Sequence, residues 1–243
     1  MRAKTALVTG GASGIGRATS ERLADAGYRV VVTDADPGGR DVAQAIDGAV
    51  FVEHDVTSET AWERTIETAL QSHGRLDVLV NNAGVALVRA VTDTTLEEWR
   101  SLQAVNLDAV FLGTKHAVRA MRLHGEGGSI VNVSSASGLV GAPLSSAYCA
   151  SKGGVRLFTK AVALECAAEG IRVNSLHPGA VRTPIWAKVG LSLEDEAALA
   201  GASPLRRMAE PEEIADAVVY LASDASRFVT GSELVIDGGY TAG

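Results

Sequence analysis

Tyr148 and Lys152 stand four residues apart in Tyr148-Cys-Ala-Ser-Lys152, within a stretch of helical patterning, so a phenol and an ammonium share one helix face. A cation near a phenol favours phenolate and moves the tyrosine pKa down from its ordinary value of about 10. Such a phenol suits general acid/base work on an alcohol or a ketone. Alone, the pair could be two surface neighbours, but a hydroxyl cluster precedes it: Asn132-Val-Ser134-Ser135-Ala-Ser137-Gly138. Hydroxyls there can donate to a substrate oxygen as charge develops on it. Residue type and spacing do not choose among Ser134, Ser135 and Ser137.

A second constellation lies near the start of the chain. Thr9-Gly10-Gly11-Ala12-Ser13-Gly14-Ile15-Gly16 joins an apolar run to an amphipathic helical pattern. A glycine-rich turn of this kind lets the backbone approach a pyrophosphate, and the helix N-terminus supplies free N–H groups and a partial positive charge. The spacing is GxxxGxG, not the GxGxxG of the general dinucleotide fingerprint. Asp34 follows the second apolar run, 18 residues beyond Gly16. A carboxylate at about that position accepts hydrogen bonds from the adenosine ribose and repels a 2′-phosphate. No Lys or Arg occupies position 13 or directly follows Asp34, and Arg17 and Arg40 read as solvated helix charges. NAD, not NADP, is the expected cofactor. Asp55-Val56 and Asn81-Asn82-Ala83-Gly84 follow the third and fourth runs, at the edge where open α/β sheets bind ligands.

The elements that must position these residues alternate regularly. Strands are expected at 5–9, 29–33, 50–53, 77–81, 129–133, 172–176 and 233–236, several of them continuous apolar runs as in strands covered on both faces. Helical patterns lie near 15–26, 38–46, 58–73, 95–123, 147–168 and 211–222. The alternation predicts one doubly wound α/β domain, a mainly parallel seven-stranded sheet with right-handed crossovers and helices on both faces. Two helices carry more apolar surface than one buried stripe needs, through Leu102, Val105, Leu107, Val110, Phe111 and Leu112, and through Val155, Leu157, Phe158, Val162 and Leu164. Another subunit covering the second face would explain this.

The chain has 243 residues, 47% hydrophobic and 21% charged, and no apolar run reaches the length of a membrane span. Disordered, collagenous and membrane-spanning classes are thereby excluded. The net charge of −7, without a basic stripe, disfavours a nucleic-acid partner. With an apolar run and then glycines within the first ten residues, no signal peptide is expected. Only Cys149 and Cys166 are present, so the expected compartment is a reducing cytoplasm. His54, His73, His116, His124 and His177 are not grouped. His177 is expected to be packed or hydrogen-bonded, and no functional metal is expected.

Taken in order, TGxxxGIG, Asp34, NNAG, a serine thirteen residues before YxxxK, and Pro178-Gly179 resemble the short-chain dehydrogenase/reductase family and its single-domain Rossmann fold. Ser151 to Lys160, His177 to Gly179, Thr183-Pro184 and Gly231 to Tyr240 resemble bacterial secondary-alcohol and cyclopentanol-type dehydrogenases. The resemblance implies Ser135 as the holder of the substrate oxygen and Tyr148 as proton donor and acceptor. Lys152 would lower the tyrosine pKa and bind the nicotinamide ribose, and Asn106 would support a relay water beside it. The implied cofactor positions are Gly10, Ser13, Gly14, Ile15, Gly16, Asp34, Asp55, Val56, Asn82, Ala83, Gly84, Tyr148, Lys152, Pro178, Gly179, Val181 and Thr183. A lid is expected over 183–203, with Ile185, Trp186, Val189, Leu191 and Leu193 as apolar members, and Leu139, Val140, Leu144 and Ala180 as further pocket candidates. The implied activity is NAD-dependent interconversion of a small apolar secondary alcohol and its ketone by a homotetramer. Alternatives are a 3-oxoacyl-carrier-protein reductase, a hydroxysteroid dehydrogenase, or a nucleotide-binding regulator without turnover.

Overall fold

The computed structural model describes residues 3–188, 190 and 193–243. Seven strands, β1 (Thr5–Thr9), β2 (Arg29–Asp34), β3 (Val50–Glu53), β4 (Val78–Asn81), β5 (Gly128–Val133), β6 (Ile171–Pro178) and β7 (Glu233–Ile236), form one sheet. The order is β3-β2-β1-β4-β5-β6-β7, and every pairing is parallel. The chain starts in the middle, walks outward to β3, and returns to β4 on the other side of β1. That reversal opens a crevice at the carboxyl ends of β1 and β4, where ligands of such sheets bind.

The central strands are apolar on both faces because both faces are covered. Leu7, Leu79, Ile130 and Val173 point to one side, where Trp62 and Met121 complete a core. Val8, Val32, Val80, Val131 and Leu176 point to the other, against Leu23, Ile214, Val218 and Leu221. Alternation of side chains along a strand makes this division automatic. The covering helices are α1 (Gly14–Asp25), α2 (Gly39–Gln44), α3 (Glu59–His73), α4 (Leu96–Gln103), α5 (Ala109–His124), α6 (Ser146–Cys166), α7 (Ile185–Lys188), α8 (Leu193–Ala202) and α9 (Pro211–Ala222). Their ends follow local chemistry. Ser58 Oγ accepts from Ala61 N at the start of α3, and Gly74 closes it with φ at 81°. Thr95 and Glu98 form a reciprocal capping box at α4.

One expectation needs correcting. The helix expected over 95–123 is interrupted: a π-helical turn, Ala104–Asp108, separates α4 from α5. The extra residue in that turn swings Asn106 inward, where its fully buried side chain finds partners on two other segments. The 183–203 segment holds two short helices, α7 and α8, while Val189, Leu191 and the side chain of Leu193 lie outside the described residues. The two strongly apolar helices each bury one face and leave Phe111, Leu157 and Leu164 49%, 66% and 83% exposed.

Candidate active site

The nucleotide side is built mostly from backbone. Gly10 and Gly14 take φ of 66° and 52°, a region that a side chain strains. A Cβ on Gly16 would lie 2.1 Å from the Gly10 carbonyl oxygen, so α1 rests directly on the turn. Asn82 binds this turn to the end of β4: its Nδ2 donates to the carbonyls of Thr9 (2.8 Å) and Gly10 (3.3 Å). The Asn82 and Ala83 amides both donate to Thr9 Oγ1 at 3.0 Å. Ser13 starts α1 in an extended conformation with no side-chain cap bond, and the Ile15 side chain packs into the core below.

Asp34, at the end of β2, receives the Ala12 amide on Oδ2 and the Asp36 amide on Oδ1, both at 2.9 Å. Its carboxylate therefore sits against the glycine turn with lone pairs to spare. Arg17 pairs with Glu21 at 2.9 Å, and the Arg40 guanidinium lies 5.8 Å from the centre of the Phe51 ring. Both nearby cations are engaged away from Asp34. Asp55 caps its own turn by accepting from the Thr57 amide and hydroxyl, which hold its carboxyl below the usual range. Trp62 Nε1 donates to the Val56 carbonyl at 2.9 Å and fixes that residue in place.

The opposite side is built from side chains, Ser134 and Lys152 buried and Ser135 and Tyr148 half-buried. Ser134 Oγ is spent on the Lys152 carbonyl at 2.8 Å, and Ser137 contributes its amide to Ser135 Oγ at 3.1 Å. Ser135 is the serine whose hydroxyl acts on the Tyr148 phenol. Tertiary structure thus makes the choice that spacing left open. Burial raises the Tyr148 pKa above its ordinary value, and the Ser135 hydroxyl opposes this by favouring phenolate. Lys152 stands one helical turn further along α6. The ammonium lies 5.9 Å from the centre of the tyrosine ring and donates to the Val133 carbonyl at 2.8 Å, while burial lowers its own pKa to about 8.

Asn106 Oδ1 accepts from the Val85 amide at 2.9 Å, and Nδ2 donates to the Val85 carbonyl (2.9 Å) and Ser151 Oγ (3.2 Å). Its side chain clamps the segment after β4, and Gly84 lies beside both Asn106 and Lys152. A Cβ on Gly84 would sit 3.4 Å from Asn106 Oδ1 and 3.5 Å from Lys152 Nζ. Across the cleft a Cβ on Gly14 would sit 3.0 Å from Thr183 Cγ2, so these two expected cofactor positions face each other. The glycine backbone at Gly14 and Gly84, with Thr183 beside the one and Lys152 beside the other, makes a cradle that fits a nicotinamide dinucleotide. Beyond β6, Pro178 pairs with Ile236 and Gly179 N donates to the Ile236 carbonyl at 3.0 Å. Val181 is buried in the core, and its carbonyl accepts Trp186 Nε1 at 2.6 Å.

Two contacts that build this site were not legible in the sequence. Thr9 is the hydroxyl that joins the two ligand-binding turns, and its only sequence signal is its place ahead of Gly10. His177 is hydrogen-bonded, as expected, but its partner is Ser135 itself. Among the described residues no cluster of His, Cys, Asp and Glu could hold a metal, and no helix is long and apolar enough to cross a membrane.

A solved structure from Mycobacterium marinum, a short-chain type dehydrogenase/reductase, superposes with a TM-score of 0.93 at 39% identity, covering 99% of this chain and 96% of that one. A family described as Enoyl-(Acyl carrier protein) reductase matches residues 10–241. The chain belongs to the short-chain dehydrogenase/reductase family. This short-chain dehydrogenase/reductase is 46% identical to a cyclopentanol dehydrogenase of Comamonas, over 98% of this chain and 97% of the relative. It is 43% identical to an NADP-dependent (R)-specific alcohol dehydrogenase of Lentilactobacillus kefiri, over 100% and 98%. Like these relatives it is an oxidoreductase with a nicotinamide cofactor.

Proposed function

We propose that this enzyme interconverts a secondary alcohol and its ketone with NAD(H), Tyr148 moving the hydroxyl proton. The observation that carries the reading is the buried Lys152 ammonium, 5.9 Å from the centre of the Tyr148 ring and bordering Gly84, with the Ser135 hydroxyl acting on the same phenol. When bound, the nicotinamide supplies or accepts the hydride. Ser135 donates to the substrate oxygen as charge builds on it, and Tyr148 gives that oxygen a proton or takes one from it. Because burial holds the tyrosine proton on, ketone reduction is favoured at neutral pH. Alcohol oxidation is expected to gain rate as pH rises and Tyr148 loses its proton.

Asp34, with Arg17 and Arg40 engaged elsewhere, supports NAD. The NADP dependence of the L. kefiri relative makes the choice one to measure. Ile185 and Trp186 on α7, both half-buried, support an apolar substrate. The exposed face of α5 and α6, with Phe111, Leu157 and Leu164, supports a homotetramer. Two unpaired cysteines are compatible with the cytoplasm.

The test follows NADH absorbance over cyclic and linear secondary alcohols, steroids and acyl thioesters, each repeated with the NADP couple. Turnover of small apolar alcohols with NAD is expected. Activity confined to steroids, or to acyl thioesters with NADPH, overturns the substrate assignment. Cofactor binding without turnover on any substrate points instead to a nucleotide-binding regulator.

A further inference from the structure

His177 stands near the end of β6 with no exposed surface, and both ring nitrogens have partners. Nδ1 lies 3.0 Å from the Ser135 carbonyl oxygen. A carbonyl only accepts, so Nδ1 carries the hydrogen. In the neutral ring Nε2, 2.8 Å from Ser175 Oγ, then accepts from that hydroxyl, whose other acceptor, the Ser232 carbonyl, is farther off at 3.4 Å. The tautomer is thus set by two bonds. Burial lowers the ring's pKa, with Glu233 on β7 and Arg156 and Lys152 on α6 as the charged groups acting on it.

The backbone explains why a side chain is needed here. Ser134 N donates to the Leu176 carbonyl at 2.8 Å, extending the ladder one step past the Val133 and Leu176 pair. In a parallel pair the next donor on β6 would come from residue 178, and a proline has none. The two strands therefore lose their backbone tie where the site begins. Ser135, just beyond, is extended at φ −168° and ψ 160°. Its carbonyl takes the Gly138 amide at 2.9 Å and the His177 ring at 3.0 Å. Two donors on one carbonyl fix the Ser135–Ala136 peptide plane, and with it the direction of the Ser135 side chain.

We propose that His177 is a positioning residue, whose ring holds the Ser135 backbone so that the Ser135 hydroxyl is aimed at the substrate oxygen. The inference rests on the reading of Ser135 as the group that holds that oxygen. A role confined to tying β5 to β6 predicts lost stability with no particular dependence on Ser135.

The experiment measures kcat, KM, NADH affinity and melting temperature for His177→Leu, His177→Asn and Ser175→Ala, in the native and Ser135→Ala backgrounds. Misplacing a catalytic group by about an ångström costs up to about 100-fold. His177→Leu is expected to lower kcat about 10- to 100-fold with NADH affinity changed less than about threefold. His177→Asn, whose Nδ2 can donate from the position of Nδ1, is expected to recover most of that loss. In the Ser135→Ala background, His177→Leu is expected to cost kcat nothing further. An equal loss in both backgrounds, or an Asn variant no better than Leu, overturns the proposal. Should His177→Leu not fold, Ser175→Ala removes only the hydroxyl at Nε2, and an unchanged kcat there overturns it. Unchanged kcat in Ser135→Ala overturns the reading of Ser135 and this inference together. A large loss in Ser135→Ala with none in His177→Leu overturns the positioning role alone.

Discussion

The two sides of the cleft are made of different materials. Around β1, β2 and β4 the ligand-facing groups are turns and amides, braced by Thr9 and Asn82 at nearly unstrained cost. Around β5 and β6 they are ionisable or hydroxylic side chains, half-buried or buried, and desolvation shifts both Tyr148 and Lys152 toward their neutral forms. Phosphates can be held by dipoles that fold for free, because every turn has amides to spare. Proton transfer needs groups that change charge, and desolvating such groups opposes folding. The backbone side should fail when a Cβ is added, and the side-chain side when one functional atom is removed.

The largest expected effect is on the side-chain side. Tyr148→Phe should lower turnover about 10²- to 10⁴-fold while NADH still binds, read by absorbance and by fluorescence titration. Unchanged turnover removes the tyrosine from proton transfer. On the backbone side, Gly16→Ala places a Cβ where the Gly10 carbonyl is, so α1 must move off the turn. A loss of about 1–3 kcal/mol in denaturant unfolding, with weakened NADH binding, is expected. Gly141→Ala, which meets nothing within 4 Å, is the control and should change stability by less than about 0.5 kcal/mol.

Lys152→Met should abolish turnover and stabilise the cofactor-free protein. A pKa moved from 10.5 to about 8 corresponds to about 3 kcal/mol against the charged form. Loss of the bond to Val133 returns about 1 kcal/mol, leaving a net gain of about 2 kcal/mol. The sign follows from proton binding. Between pH 8 and 10.5 the unfolded chain holds a proton that the folded lysine has released, so this group's contribution to stability rises with pH. The advantage of Lys152→Met is therefore complete below pH 8 and disappears by pH 10.5. Thermal melts that show no gain at pH 7 would mean the ammonium is better solvated than its burial implies.

The smallest effect expected is on cofactor choice. Asp34→Ala should narrow the NAD preference by about tenfold, read as the ratio of kcat/KM for the two cofactors. An unaltered ratio removes Asp34 from cofactor selection and breaks the contrast at a charged member of the backbone side.

Element order and most boundaries were legible because continuous apolar runs and glycine stops are local signals. Three strands, 5–9, 50–53 and 233–236, lie where the pattern puts them. The π-turn at Ala104–Asp108 was not legible, since its cause is a partner 21 residues away: Asn106 turns inward to meet Val85. The same limit applies to Lys152. Sequence shows an ammonium one helical turn from a phenol, but Val133, on another strand, decides where its hydrogen bond goes.

The sequence by itself determined which chemistries reach the carboxyl edge of the sheet, because strand ends and the residues after them are adjacent in the chain. It also determined where side chains must be absent, through Gly10, Gly14 and Gly16. Only the tertiary structure decided that Gly14 faces Thr183 and that His177 completes the Ser135 backbone where Pro178 ends the ladder. Those contacts join segments tens of residues apart. Their geometry follows from strand register and burial, which no local spacing encodes.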